Sequence, residues 1–233
     1  MKILALDSSA VSASAAICDD NKILGEFYTN TGFTHSQTLM PMVESLLNTT
    51  QTKLTDIDLF AVCKGPGSFT GLRIGISCIK GMSMALDKPC VGISTLECIA
   101  QGGINCKGII CCVMDARCNQ VYNALFKSDG KTLTRLCDDR AIALSDLRKE
   151  LESFCDTVYL FGDGAYVAHS FFCNDKYVIP SAVNMYQKAS SLALCAQIAY
   201  NNGVYTSASQ LIPNYLRLPQ AERELNNKKQ LNK

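Results

Sequence analysis

The first thirty residues consist of short apolar blocks separated by polar breaks, a pattern typical of β-strands. Strands are predicted over 2–7, 12–18 and 23–28, and the polar run 19–22 forms the turn between the last two. Apolar residues at helical spacing then fill one side of a helix over 34–50. The pattern therefore predicts a three-stranded meander followed by an amphipathic helix.

Two starting points fit this first helix. Thr34 and Gln37 have the spacing of a capping box, but Pro41 would then lie inside the helix and kink it. If Thr38 is the cap, Pro41 falls in the first turn, where proline is tolerated. His35 lies near the helix start in both cases. A capping or contact role is expected for it, because no partner for catalysis is visible.

The densest run of glycine and proline is Gly65-Pro66-Gly67-Ser68-Phe69-Thr70-Gly71, which we call the glycine turn. It separates a predicted strand over 59–63 from a helix over 71–86, with Thr70 as the expected N-cap. Free N–H groups at a helix N-terminus suit anions, so a phosphate loop is one interpretation. The run lacks both the Gly-Lys-Ser/Thr ending of a P-loop and the spacing of a dinucleotide-binding loop. A structural turn is therefore favoured, and phosphate binding stays open.

The helix over 71–86 is apolar or small around most of its circumference. A narrow polar stripe along it consists of Arg73, Ser77 and Lys80. Gly71, Gly75 and Gly81 would let another backbone come close. Such a helix is buried on more than one side. It is either a central helix of one core or a helix that also meets a second subunit.

The pattern of strands and helices then restarts. A strand over 89–93 and a capping box at Ser94 complete the first half. The elements predicted for the second half are strands over 108–114, 120–126 and 133–137, a helix over 145–153 capped by Ser145, a strand over 157–161, a glycine turn at 162–165, a strand over 177–179 and a helix over 190–202. The order predicts an α/β protein with two βββαβα halves, 1–103 and 104–218.

An aspartate ends the first strand of each half, Asp7 in one and Asp115 in the other. Two such halves face each other across a cleft, so both carboxylates are expected to point into it. Each aspartate by itself also fits the role of a turn residue after a strand.

The composition limits the classes of partner that are expected for the chain. The 233 residues include 22 basic and 21 acidic side chains, a net charge of +1, which is not the footprint of a dedicated nucleic-acid binder. With 48% hydrophobic and 18% charged residues, the chain carries more apolar surface than a solitary monomer needs, so an oligomer or complex is expected. No signal peptide or membrane span is visible, and a cytoplasmic location is expected. Residues 219–233 are polar, and we expect a mobile tail there.

The cysteines and histidines give little sign of a metal centre or a disulfide framework. The 13 cysteines are scattered without a Cys-x-x-Cys pair, and most lie in apolar runs, where cysteine serves as a small hydrophobe. Adjacent Cys111 and Cys112 on a strand would point to opposite faces, which disfavours a zinc cluster. His35 and His169 are the only histidines, so no pair has metal-binding spacing.

The run from Gly65 to Gly75, followed by Lys80-Gly81, closely resembles the signature of the bacterial TsaB (YeaZ) proteins. The resemblance extends over essentially the whole chain. The other matching segments are Ile3-Leu4-Ala5-Leu6-Asp7-Ser8-Ser9, His35-Ser36, Gly92-Ile93-Ser94-Thr95-Leu96, Asp115-Ala116-Arg117 with Val121-Tyr122, and Tyr215-Leu216-Arg217. It implies two RNase H-like halves of the actin, Hsp70 and sugar-kinase ATPase fold.

The resemblance also implies a role in making threonylcarbamoyladenosine beside the anticodon of tRNA. Members of the family do not transfer the group themselves. They bind a paralogous partner, TsaD, which carries the metal-binding histidines, and a small ATPase, TsaE, joins the pair. The chain would thus meet tRNA only through the complex. No catalytic residue, metal or cofactor is expected in it, in agreement with the lack of a His-x-x-x-His pair.

In the family, the two helices of the first half contact TsaD, or a second copy of the chain when TsaD is absent. They correspond to 34–50 and 71–86 here, which accounts for the apolar circumference of the second. The interface residues implied on them are His35, Leu39, Met42, Leu46, Arg73, Ile76, Lys80 and Met84.

Nucleotide chemistry is the alternative function. Fold relatives that hydrolyse ATP carry Asp-x-Gly after the first strand, whereas two serines follow Asp7, and alanine and arginine follow Asp115. Gly162 and Gly164 keep the look of an adenosine loop. Asp7, Gly162 and Gly164 are therefore candidates for weak ATP or ADP binding, and an ATPase or small-molecule kinase would use Asp7 and Asp115. A glycopeptidase would need a metal pair or nucleophile set that the sequence does not offer.

Overall fold

The computed structural model describes residues 1–217, and the predicted tail over 219–233 lies outside the described residues. The first sheet has the strand order β3-β2-β1-β4-β5. Strands β1 to β3 form the predicted antiparallel meander, and β4 and β5 are added parallel to β1. Its strands are β1 (Lys2–Asp7), β2 (Ala13–Asp19), β3 (Lys22–Thr29), β4 (Leu59–Gly65) and β5 (Cys90–Ser94).

The second sheet repeats this arrangement, with the order β11-β10-β6-β7-β8 and β9 paired with β7. Its strands are β6 (Gly108–Asp115), β7 (Gln120–Ser128), β8 (Leu133–Arg135), β9 (Arg140–Ala143), β10 (Val158–Phe161) and β11 (Tyr177–Val178). The predicted strand over 133–137 is thus shorter, and β9 was not predicted. Cys111 and Cys112 on β6 lie in the cores on opposite faces of the sheet, which confirms the prediction for this pair.

Residues 1–217 also form seven α-helices and one short 3-10 turn, Leu54–Asp56. The helices are α1 (His35–Thr49), α2 (Phe69–Leu86), α3 (Thr95–Gln101), α4 (Leu144–Glu152), α5 (Ala165–Phe172), α6 (Ala182–Met185) and α7 (Ala189–Asn201). None of these helices has the length and apolar content to cross a membrane. The sequence pattern missed α5 and α6, which follow the second glycine turn.

Several expected helix caps were wrong. Ser68, not Thr70, caps α2, and its hydroxyl accepts a hydrogen bond from the Gly71 amide. Of the two starting points for α1, the one at Thr38 is wrong and the one at Thr34 is confirmed, because the helix begins at His35 with Pro41 inside it. The Thr34 side chain, however, makes no cap hydrogen bond. Ala143 rather than Ser145 precedes α4. The capping box at Ser94 is confirmed for one of its two hydrogen bonds, the one that the Ser94 hydroxyl accepts from the Glu97 amide at 3.2 Å.

The helices lie in layers on the two sheets. Helices α1 and α2 cover one face of the first sheet, and α7 covers the other, where Ala189 and Leu192 pack near Ile3. Helix α3 packs through Leu96 and Ile99 on the second sheet, whose far face carries α4 and α5. Helices α3 and α7 therefore lie between the sheets. The cores around α3 and α7 contain residues from both sides of the predicted boundary at 103/104. The boundary itself stays a prediction.

Candidate functional site

The glycine turn joins β4 to α2 at the end of the first sheet. Gly65 has φ +116°, a left-handed conformation that favours glycine, and the peptide bond to Pro66 is cis. A Cβ on Gly65 would also lie 2.5 Å from the carbonyl oxygen of Asn214. The turn therefore needs glycine both for its backbone angle and for the close passage of the C-terminal segment, residues 206–217.

The other side of the glycine turn closes on the loop that follows β1. The Ser68 amide donates to the Ser9 carbonyl at 2.7 Å, and the Ser8 hydroxyl donates to the Gly71 carbonyl at 2.8 Å. A Cβ on Gly67 would lie 2.2 Å from the Ser9 oxygen, and one on Gly71 would lie 2.0 Å from the Ser8 oxygen. The loop after β1 is thus filled by the protein's own main chain.

Asp7 does not reach an open cleft, contrary to the expectation from sequence. The residue is 1% exposed, and its Oδ1 accepts hydrogen bonds from the Ser9 hydroxyl at 2.6 Å and the Ser9 amide at 3.2 Å. Its Oδ2 is buried without a hydrogen-bond partner among the described residues. Burial raises the pKa of this carboxyl, because a charge is poorly solvated there. Asp7 therefore stabilises the loop that follows β1.

The second half brings Asp115 next to the turn at 162–164. The Asp115 amide donates to Asp163 Oδ1 at 3.1 Å, and the Asp115 carboxylate accepts from the Arg117 amide at 2.7 Å. Burial raises the pKa of Asp163 to about 6. A Cβ on Gly162 would lie 2.2 Å from the Val113 oxygen, so this glycine lets the turn pack against β6. Gly164 meets the same strand end, where a Cβ would lie 3.0 Å from the Asp115 amide nitrogen.

Three of the expected interface residues are buried in the core of the folded chain. Leu39 is 0% exposed, Leu46 2% and Ile76 4%. All three belong to the core between the first sheet and α1 and α2. The helical pattern placed them on an apolar side correctly, but that side faces the sheet.

The remaining expected interface residues lie at or near the surface. Met84 is 68% exposed and Arg73 is exposed, whereas His35, Met42 and Lys80 are partly buried. His35 Nε2 lies 2.7 Å from the Ala10 carbonyl oxygen. It thus ties the start of α1 to the loop after β1, in line with the expected contact role.

The exposed side of α1 and α2 includes apolar and small residues beside charged ones such as Glu44 and Arg73. We define the α1–α2 face by Met40, Arg73, Ser77, Gly81 and Met84, all of them exposed. The four residues on α2 recur at helical spacing and form one stripe. A Cβ on Gly81 would meet nothing within 4 Å, so this glycine makes no close contact inside the chain and leaves room for another backbone.

A groove of about 450 Å³ lies between the two helices at one end of this face. It is lined by Ser36, Thr70, Arg73, Ile74, Ser77 and Cys78. Sequence reasoning missed the groove, because its walls come from two helices whose relative position only the folded chain defines.

The C-terminal segment reaches the same end of α2. Thr206 pairs with Cys90 at the edge of the first sheet, and the Asn214 amide donates to the Lys64 carbonyl at 2.6 Å. The Tyr215 ring stacks on Phe69 with a centroid distance of 4.5 Å. No pattern in the sequence indicates this contact, which joins residues far apart in the chain.

The described residues contain no group of three or more histidine, cysteine, aspartate or glutamate side chains that could hold a metal ion. All 13 cysteines lie within residues 1–217 and are free thiols there. Burial raises the pKa of the Cys63 thiol to about 12, so this thiol is a packing group at neutral pH.

Comparisons with known proteins agree with this fold. A family model described as TsaD, tRNA N6-adenosine threonylcarbamoyltransferase, matches residues 29–225. The TsaB tRNA threonylcarbamoyladenosine biosynthesis protein of Bacillus subtilis is 32% identical over 226 residues, 95% of this chain and 96% of that protein. The TsaB protein of Escherichia coli is 38% identical over 131 residues, 55% of this chain and 56% of that protein.

A solved structure from Pseudomonas aeruginosa has the same architecture. It is described as an uncharacterized protein with similarity to peptidase YeaZ, and it is 26% identical with a TM-score of 0.81. The alignment covers 93% of this chain and 99% of that one. The predicted α/β fold with two actin-like halves is confirmed.

Proposed function

The chain belongs to the TsaB family of tRNA threonylcarbamoyladenosine biosynthesis proteins, and from this membership we propose that it is a non-catalytic subunit. It binds a TsaD-type catalytic subunit through the α1–α2 face and stabilises it. The catalytic partner transfers the threonylcarbamoyl group to the adenosine beside the anticodon. The proposed role on tRNA implies a cytoplasmic location, with tRNA contacted through the complex.

The observation that carries the non-catalytic role is the closed loop after β1. A nucleotide phosphate needs free backbone N–H groups and accessible side chains. In this chain the Ser9 carbonyl already accepts from the Ser68 amide, and Asp7 is 1% exposed. If the chain were an ATPase or kinase, the glycine turn would have to open before Asp7 could reach magnesium or phosphate. The site therefore supports a scaffold over an enzyme.

The α1–α2 face has the chemistry of a protein-binding surface. Met40 and Met84 are exposed, and methionine adapts its unbranched chain to irregular apolar partners. Gly81 has open space above it, so a partner helix can approach the backbone of α2 closely. Arg73 and Lys80 are cationic, which favours an acidic rim on the partner.

A charge placed on this face tests the proposed interaction. Met84→Glu should weaken binding of a TsaD-type subunit by about tenfold or more, because a buried carboxylate in an apolar contact has no compensating partner. The matched control is Ile198→Glu on α7, where the side chain is exposed to a similar degree, 60% against 68% for Met84. Titration calorimetry gives both affinities, and thermal melting checks that both variants fold. Unchanged affinity of Met84→Glu would contradict the proposal.

The isolated chain should not bind ATP with magnesium, since the loop after β1 is closed by its own main chain. Titration calorimetry with ATP and magnesium measures this directly, and the same titration on a sugar kinase of this fold is the positive control. Saturable binding that Asp7→Asn abolishes would favour the enzymatic alternative.

Two further contacts belong to the proposal. A TsaE-type ATPase joins the pair formed with the catalytic subunit. In the absence of that subunit, two copies of the chain associate through the α1–α2 face, because the same exposed methionines then need cover. The Met84→Glu variant should lower the association of the free chain as well as the binding of the partner.

A further inference from the structure

Tyr215 occupies an unusual place for a residue in an irregular C-terminal segment. Its ring stacks on Phe69 at 4.5 Å with an interplanar angle of 20°, and its hydroxyl accepts a hydrogen bond from Arg73 Nε at 2.9 Å. Phe69 and Arg73 are four residues apart in the first turns of α2, so they lie on the same side of the helix. Tyr215 thus contacts α2 with both its ring and its hydroxyl.

The segment that carries Tyr215 is held on both sides of it. On one side the Asn214 amide donates to the Lys64 carbonyl at 2.6 Å, next to Gly65. On the other side the Arg217 guanidinium donates to the Ala116 carbonyl in the second half. Earlier in the same segment, Leu211 is buried in the core beneath α1 and α2. The position of the Tyr215 hydroxyl is therefore defined by both halves of the protein.

The hydrogen bond to Nε fixes the guanidinium of Arg73 and leaves its other donors available. Within residues 1–217, the two terminal nitrogens of Arg73 form no hydrogen bond or ion pair. Arg73 also lines the groove of about 450 Å³, together with the apolar side chain of Ile74. A guanidinium held in this way presents a planar pair of N–H groups, the arrangement that binds a carboxylate with two hydrogen bonds.

We propose that Tyr215 is a positioning residue for partner binding, which holds Arg73 ready for a carboxylate on the partner. The partner segment has an acidic side chain for Arg73 beside an apolar side chain for the groove. The inference rests on the proposed function, since the partner is the TsaD-type subunit. A free arginine would lose its side-chain freedom on binding, and the hydrogen bond that Arg73 donates to Tyr215 removes part of that cost beforehand.

Removal of the hydroxyl alone tests the inference. Tyr215→Phe keeps the ring on Phe69 but loses the bond to Arg73, and it should weaken binding of the TsaD-type subunit by about 3- to 10-fold. Arg73→Gln should weaken binding by about tenfold or more, because the partner carboxylate is then left unpaired. In the Arg73→Gln background, Tyr215→Phe should change the affinity by less than about twofold, since the two residues act through one contact.

Tyr205→Phe is the matched control, because Tyr205 is also exposed just before the C-terminal segment, but its ring lies against Tyr200 of α7, with the centroids 5.0 Å apart. Its affinity should equal that of the unchanged chain. If Tyr215→Phe binds like the unchanged chain, or weakens binding equally with and without Arg73, the inference is overturned while the Met84→Glu result still supports the proposed function. A chain that binds no TsaD-type subunit at all overturns both.

Discussion

Gly71 and Gly81 lie ten residues apart on α2 and have opposite surroundings. A Cβ on Gly71 would lie 2.0 Å from the Ser8 carbonyl oxygen, which is backbone and cannot move aside cheaply. A Cβ on Gly81 would meet nothing within 4 Å. The sequence interpretation was that the glycines of this helix let another backbone come close. Within the chain, Gly71 and Gly75 have close contacts, whereas at Gly81 the approach of another backbone stays a prediction.

The two positions give a matched pair of substitutions. Gly71→Ala should lower the free energy of unfolding by about 1–3 kcal/mol or more, because the methyl group forces the loop after β1 away from α2. Gly81→Ala should raise it by about 0.4–1 kcal/mol, because alanine restricts the unfolded chain and favours the helix. Urea denaturation measures both. Equal effects of the two substitutions would contradict the contact between α2 and the Ser8 carbonyl.

The candidate site residues show what residue types alone reveal. Asp7 and Asp115 were found because an aspartate directly after a buried strand is conspicuous in a sequence. The predicted direction of the Asp7 carboxylate was wrong, since hydrogen bonds from Ser9 hold the carboxylate inside the protein. Tyr215 was noted only through the family resemblance, because nothing in the sequence links it to Phe69, 146 residues earlier by numbering (215 − 69).

Helices α1 and α2 show how far periodicity carries at the scale of an element. The pattern predicted both helices and an apolar side on each, and both are present. It did not predict which apolar residues face the first sheet. Leu39 and Ile76 do so and are buried, whereas Met40 and Met84 point away and are exposed. The reason is that α2 is apolar nearly all round, so its orientation is set by what it packs against.

Helix α5 was missed for a related reason. It has only eight residues, Ala165–Phe172, and Tyr166, Val167 and Phe171 on it are exposed. A short helix that is apolar on its solvent side shows no clear amphipathic pattern. Its formation depends on packing Ala165, Ala168 and Phe172 against the second sheet.

At the scale of the whole molecule, the two halves share their cores. Helix α7, from the end of the described chain, packs through Leu192 and Ala193 against the first sheet. Helix α3, from the first half of the sequence, packs through Leu96 and Ile99 on the second sheet. Each sheet thus packs against a helix that belongs to the other half of the sequence.

Because each sheet is covered by a helix from the other half, we predict that residues 1–103 do not fold by themselves. The fragment would keep α1 and α2 but expose the face of the first sheet that α7 covers, including Ile3, Leu59 and Val91. Circular dichroism during urea denaturation should show no cooperative transition for the fragment and a cooperative one for the full chain. A cooperative transition of the fragment would instead support 1–103 as an independent domain.

The sequence by itself determined the fold class and the family, because strand and helix periodicities and the run from Gly65 to Gly75 are local patterns. Only the tertiary structure decided which surface is available to a partner and that the loop after β1 is closed. Both depend on contacts between distant parts of the chain, such as Ser68 on Ser9 and Tyr215 on Arg73. The physical reason is that side-chain periodicity defines the sides of an element, whereas burial depends on what the rest of the chain places against each side.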